Sequence, residues 1–222
     1  MRRFLSLSLL ILVSCATGPP TQPNDREWGQ IMTDYAWIES VRKAQPAPPA
    51  NASRKQMIEI ALETQRKLEP TYASFIDRVK EYHDRTQDPR AAKLLAGEKI
   101  MMGDEYMDLL SRYDKALEFY RAAVQLDPMN AEANQRVATA ESRRFVSIAA
   151  FANLHAGMKE DDVRKFVGLP REDWIKQVVQ NGRVYSVWIY PKADGGASAV
   201  YFDNGVVYHT NWNAAAPPTA AR

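Results

Sequence analysis

With 222 residues, 45% of them hydrophobic and 25% charged, the chain has an ordinary globular composition and room for one large or two small domains. Its formal charge of +2 is not gathered into a basic stretch, which argues against a nucleic-acid partner. A single cysteine, Cys15, leaves no second thiol for an internal disulfide.

The chain opens on Met1-Arg2-Arg3, an apolar run from Phe4 to Val13 broken only by serines, and Leu12-Val13-Ser14-Cys15. Two cytoplasmic arginines, an apolar segment too short for a stable span and a small residue before cysteine predict a lipoprotein signal peptide over residues 1–14. Arg2-Arg3-Phe4-Leu5 lacks the usual context of a twin-arginine signal, so the general secretory route is expected. Cys15 would then carry a diacylglycerol on its thiol and an acyl chain on the new amino terminus, and several chains anchor durably where one is marginal. Ala16 resembles the outer-membrane sorting signal, since inner-membrane retention usually reads an aspartate there. Residues 15–25, rich in proline and polar residues, read as a flexible tether.

A helical domain is predicted over residues 26–152. From Arg26 to about Gln45, Trp28, Ile31, Met32, Tyr35, Ile38 and Val41 recur at helical spacing, and Pro46-Ala47-Pro48-Pro49 ends that helix. Ser53 is a candidate cap for the next, in which Met57, Ile58, Ala61, Leu62 and Leu68 share a face. That cap accounts for the Asn51-Ala52-Ser53 sequon. Pro70 is expected to begin or kink a further helix striped by Tyr72, Phe75, Ile76, Val79 and Tyr82.

Another helix follows near Leu94 to Leu110, and then Tyr113, Ala116, Tyr120, Ala123 and Pro128 stand at offsets that resemble the second half of a tetratricopeptide (TPR) repeat. The resemblance implies close helix contact at Ala116 and Ala123, Tyr120 filling the space between helices, and Pro128 stopping the second helix. Asp104 falls where the repeat prefers glycine, and Gly103 lies one position early. Asp88-Pro89 resembles an earlier repeat end. Ala131 begins a helix expected to run unbroken to Phe151, with Ala133, Val137, Ala140, Ile148 and Ala152 on its inner side.

Residues 153–213 read as a small α+β domain. Gly157 to Pro170 is a short helix with acids at its start, Val163, Phe166 and Val167 inward, and Gly168 and Pro170 at its end. Trp174 to Gln180 and Arg183 to Tyr190 flank Asn181-Gly182, and Ala197 to Phe202 and Val206 to Trp212 flank Asn204-Gly205, two strong hairpin signals. The fold class is therefore α+β, a helical array followed by an antiparallel meander with one face covered by helix. Residues 214–222 read as a disordered tail.

In this segment Gly157, Met158, Val163, Gly168, Pro170, Trp188, Tyr190, Phe202 and Gly205 form a pattern that resembles the SmpA/OmlA (BamE-like) family of outer-membrane lipoproteins, over roughly Leu154 to Trp212. Lys159 occupies the position where that family usually has a Thr or Ser cap. The resemblance implies the module's fold and, as a partner, the β-barrel assembly machinery.

The residue types of catalysis are sparse. His83, His155 and His209 stand at no metal-ligand spacing, although His155 and His209 could meet in the fold, and Asp161-Asp162 suits an acidic first helical turn. There is no nucleophile elbow or phosphate-cradling loop. The expectation is a non-enzyme without cofactor or metal. It would be an outer-membrane lipoprotein facing the periplasm, a protein-interaction scaffold for envelope proteins in outer-membrane assembly or envelope integrity. A periplasmic inhibitor, a ligand-binding module or a cell-wall contact through exposed Trp and Tyr is the alternative.

Overall fold

The computed structural model describes residues 23–50 and 52–215, in which seven α-helices precede a four-stranded antiparallel sheet. The expected signal segment, Cys15, the tether up to residue 22, Asn51 and the tail beyond residue 215 lie outside the described residues.

Helix α1 (Pro23–Lys43) starts earlier than the tether reading allowed, so Pro23 to Asp25 are helical. Proline is at home there because the first helical N–H has no intrahelical acceptor. Helix α2 (Arg54–Thr86) is capped as expected: Gln56 N–H donates to Ser53 Oγ, and Ser53 N–H donates to Gln56 Oε1 at 2.8 Å. It corrects the expected division at Pro70, running through that residue for 33 residues, about 50 Å. Pro70 removes the donor that would meet the Arg66 carbonyl, but both residues are solvent-exposed. Leu68, Phe75, Val79 and Tyr82 hold the opposite face in the core.

Helix α1 lies antiparallel on the second half of α2. Trp28 meets Tyr82 at 5.7 Å between ring centroids, Tyr35 stacks on Phe75 at 5.9 Å, and the Arg42 guanidinium sits 5.5 Å from the Tyr72 ring. Asp34 pairs with Arg78 along the same contact.

Asp88 caps helix α3 (Pro89–Asp104), accepting from the Arg90 N–H at 2.9 Å. The helix then passes into a π-helical turn over Glu105–Leu109. Helices α4 (Tyr113–Leu126) and α5 (Ala131–Arg143) complete the array, and Ala116, Tyr120, Ala123, Ala133 and Ala140 are buried among them. Gly103 rather than Asp104 faces Tyr120. Asp104 instead accepts the Tyr120 hydroxyl at 2.6 Å and pairs with Arg136 at 3.1 Å. Because Ala116 and Ala123 are fully buried in the cluster between helices, Ala116→Leu or Ala123→Leu should lower stability by about 1–3 kcal/mol. Lys115→Ala, removing a surface pair with Glu118, should change it by less than about 1 kcal/mol. Equal melting temperatures for all three variants would contradict this packing.

The helix from Ala131 does not reach Phe151; it ends at Arg143. Val146 N–H leaves the helical ladder to donate to the Pro191 carbonyl at 3.0 Å, and Ser147 caps a separate four-residue helix α6 (Ile148–Phe151). This break rotates Ile148 and Ala152, expected inside, into solvent.

Helix α7 (Glu160–Val167) and a 3₁₀ turn over Glu172–Trp174 lead into strands β1 (Ile175–Gln180), β2 (Arg183–Pro191), β3 (Ala197–Asp203) and β4 (Val206–Ala214). They form a meander in the order β1-β2-β3-β4. Positive φ at Asn181 (51°), Gly182 (72°), Asn204 (48°) and Gly205 (78°) gives both hairpins the turn that matches strand twist. Ala214 belongs to β4 and not to a tail. Trp188, Tyr190, Val200, Phe202 and Val207 line the inner face, beneath Phe151, Leu154 and Val163. Phe166, expected to point inward, is 47% exposed, because Val163 and Val167 already occupy the side of α7 that meets the sheet.

The two halves are joined by Arg54 at the start of α2. Its guanidinium donates to the Leu109 carbonyl, to Ser111 Oγ at 3.1 Å and to the Pro170 carbonyl at 3.1 Å. Burial lowers the Arg54 pKa, while the charge of Glu172 opposes that shift.

Candidate functional site

Helix α1 stops at Lys43 and the chain turns away through Pro46, Pro48 and Pro49, whereas α2 extends a further half-length beneath it. The uncovered stretch leaves a cavity of about 450 Å³ between α2, the end of α3 and the π turn. Its apolar surface comes from Ala61, Leu68, Met101, Met102 and Leu109, and a second cavity of about 300 Å³ adjoins it at Tyr72, Ala73 and Met102.

At one end of this trough is a buried polar cluster. The Glu98 side chain is 4% exposed and accepts two hydrogen bonds from Arg42, at 2.9 and 2.7 Å, and one from the Tyr72 hydroxyl at 2.5 Å. Glu39 takes a further bond from Arg42 at 2.9 Å. Burial disfavours the Arg42 charge, but hydrogen bonding and Coulombic attraction to Glu98, with help from Glu39, raise its pKa above the usual value. Burial, then the negative charge of Glu98, raises that of Tyr72.

Two further carboxylates, Glu69 and Glu105, line the trough with no ion pair or hydrogen bond among the described residues. Burial raises the Glu105 pKa, Arg42 opposes that shift and Glu98 reinforces it. The only cation in the lining, Arg42, is already bound to Glu98 and Glu39.

The residues singled out in the carboxy-terminal half come together as a connected set. Gly157 N–H donates to the Val207 carbonyl and Val207 N–H to the Met158 carbonyl, both at 2.8 Å, and Glu160 N–H donates to the Gly205 carbonyl at 3.2 Å. The loop before α7 thereby pairs with the first residues of β4 at the sheet edge. The Tyr190 hydroxyl donates to the Gly168 carbonyl at 2.9 Å, Trp188 packs on Phe202 at 4.8 Å, and the Pro170 carbonyl receives Arg54. The outer face of the sheet buries Ile189, Ala197 and Ala199 but exposes Val178 and Tyr208, which are 61% and 53% accessible.

Other candidate chemistry is dispersed. His83 faces Asp84, His155 bonds the Ala156 carbonyl and His209 packs on Tyr201, all at or near the surface. Asp161 and Asp162 pair with Arg164 and Lys165 on a solvated helix face. Among the described residues no group of three or more His, Cys, Asp or Glu could hold a metal ion, and no helix is long and apolar enough to cross a membrane.

The trough and its polar cluster escaped the sequence reading. One signal was visible: Glu98 is the lone acid in the otherwise apolar stretch Leu94 to Met102, broken only by Gly97 and Lys99. Its partner Arg42 lies 56 residues away and has no local mark.

Compared with known proteins, the chain matches no family model and no curated sequence. The architecture established is a helical amino-terminal region followed by a four-stranded antiparallel sheet.

Proposed function

We propose that this protein is a lipid-anchored scaffold at the periplasmic face of the outer membrane, working by protein contact within the envelope. The observation that carries the reading is the open apolar trough at the end of α1, large enough to receive side chains of a partner. The placement of Gly103 against Tyr120, with Ala116 and Ala123 buried between helices, supports a TPR-like character for the array. The connected set of Gly157, Met158, Gly168, Trp188, Tyr190, Phe202 and Gly205 supports the SmpA/OmlA-like character of the module, and with it docking on β-barrel assembly proteins.

Two experiments test this reading. Cys15→Ala should abolish uptake of labelled fatty acid and release the protein from membranes; persistence of both would remove the lipid anchor. A photoreactive phenylalanine at Val178, Tyr208 or Gln65 in intact cells should crosslink to envelope proteins, with barrel-assembly components at the two sheet positions. Absence of protein adducts from all three positions would refute a contact function. Barrel-assembly adducts from Gln65 alone would move that contact to the helical array.

A further inference from the structure

We infer that the trough at the end of α1 receives an amphipathic helix of a partner protein, seated by apolar side chains and anchored by a lysine or arginine on Glu105. The inference rests on the protein-contact reading above and names the kind of segment that makes the contact.

The intramolecular packing of α1 shows the chemistry. Along its covered half, α2 receives Ile31, Tyr35 and Ile38 from α1, with Arg42 reaching across to Glu98 on α3. Past Lys43 the same helix surfaces continue with no helix laid over them among the described residues. From Arg54 to Leu68, α2 runs about 20 Å, roughly four helical turns, beside Met101, Met102 and the π turn. Apolar lining recurs there in Ala61, Leu68, Met102 and Leu109. Glu105 lines the uncovered stretch as Glu98 lines the covered one, but it is exposed where Glu98 is buried, and among the described residues no cation pairs with it. Glu69 adds to the same sign. An occupant carrying a carboxylate would meet like charge beside the apolar wall, whereas one carrying a lysine or arginine would pair with Glu105 and gain from Glu69. Methionines suit a surface that adapts to more than one apolar side chain. A helix with leucine-like residues at i, i+4 and i+7 and a cation at i+8 satisfies the apolar and charged demands from one face.

The test uses the purified full chain and a fluorescein-labelled synthetic helix of about sixteen residues with that spacing and one arginine, beside a twin carrying glutamate in its place. The arginine peptide should bind at least about tenfold more tightly than the glutamate peptide, and the preference should shrink as salt rises. Glu105→Gln should erase most of the preference. Glu105→Arg should invert it, and this gain of binding to the glutamate peptide cannot arise from unfolding. Ala61→Trp, filling the trough, should weaken both peptides while leaving the circular dichroism spectrum unchanged. Equal affinity for the two peptides, an unaltered preference in Glu105→Arg, or saturation of the trough by palmitate with no peptide binding would each overturn the proposal. If peptide selectivity fails while crosslinks from Gln65 still capture proteins, the contact reading stands and the helical occupant falls.

Discussion

Replacing Arg42 by alanine is expected to lower the stability of the fold by about 3–5 kcal/mol, read as a fall in the urea midpoint, because it strands a buried carboxylate. Glu98 is 4% exposed, and without the guanidinium it would keep only the Tyr72 hydroxyl as a donor. Truncation of one partner is the damaging change. Arg42→Ala combined with Glu98→Gln should recover part of the loss, since the remaining amide carries no charge. Equal urea midpoints for Arg42→Ala and the double variant would show that Glu98 finds another partner.

Gly103→Ala should destabilise where Gly97→Ala stabilises, although both remove a glycine from the same helix. Alanine favours a helix interior by about 1 kcal/mol over glycine, and a Cβ at Gly97 meets nothing within 4 Å. A Cβ at Gly103 would lie 2.3 Å from Tyr120 Cε1, inside any real contact distance. The Tyr120 ring has little room to retreat, being fully buried and tied through its hydroxyl to Asp104. Overpacking of about 1–3 kcal/mol then outweighs the propensity gain, and a further change of Tyr120→Leu should relieve it. Similar melting temperatures for Gly97→Ala and Gly103→Ala would show that helices α3 and α4 separate more easily than their packing implies.

The elements that were legible have local causes. Ser53 with Gln56, and both Asn-Gly turns, act within four residues, so the start of α2 and both hairpins follow from short-range chemistry. The inner face of the sheet was legible too, because alternation along β2 and β3 puts Trp188, Tyr190, Val200 and Phe202 on one side. The misread elements have non-local causes. Pro70 stays inside a continuous helix because Leu68 and Phe75 are held by the core on either side of it. Arg143 ends α5 because the Val146 N–H finds the Pro191 carbonyl at the far end of β2.

By itself the sequence determined the α+β order, the helical stripes, the hairpin turns and the small residues on which α4 packs, since each depends on side-chain period or on backbone preference within one or two turns. The tertiary structure alone decided that α1 ends short of α2, that Arg42 meets Glu98 and that Arg54 ties the helical array to the sheet module. Those contacts join residues 56 and 116 positions apart, and their geometry depends on how long helices lie against each other, which no local pattern encodes. The trough follows from the same cause: it exists where one helix stops and its neighbour continues, so that among the described residues Glu105 has no cation partner and about four turns of α2 have no covering helix.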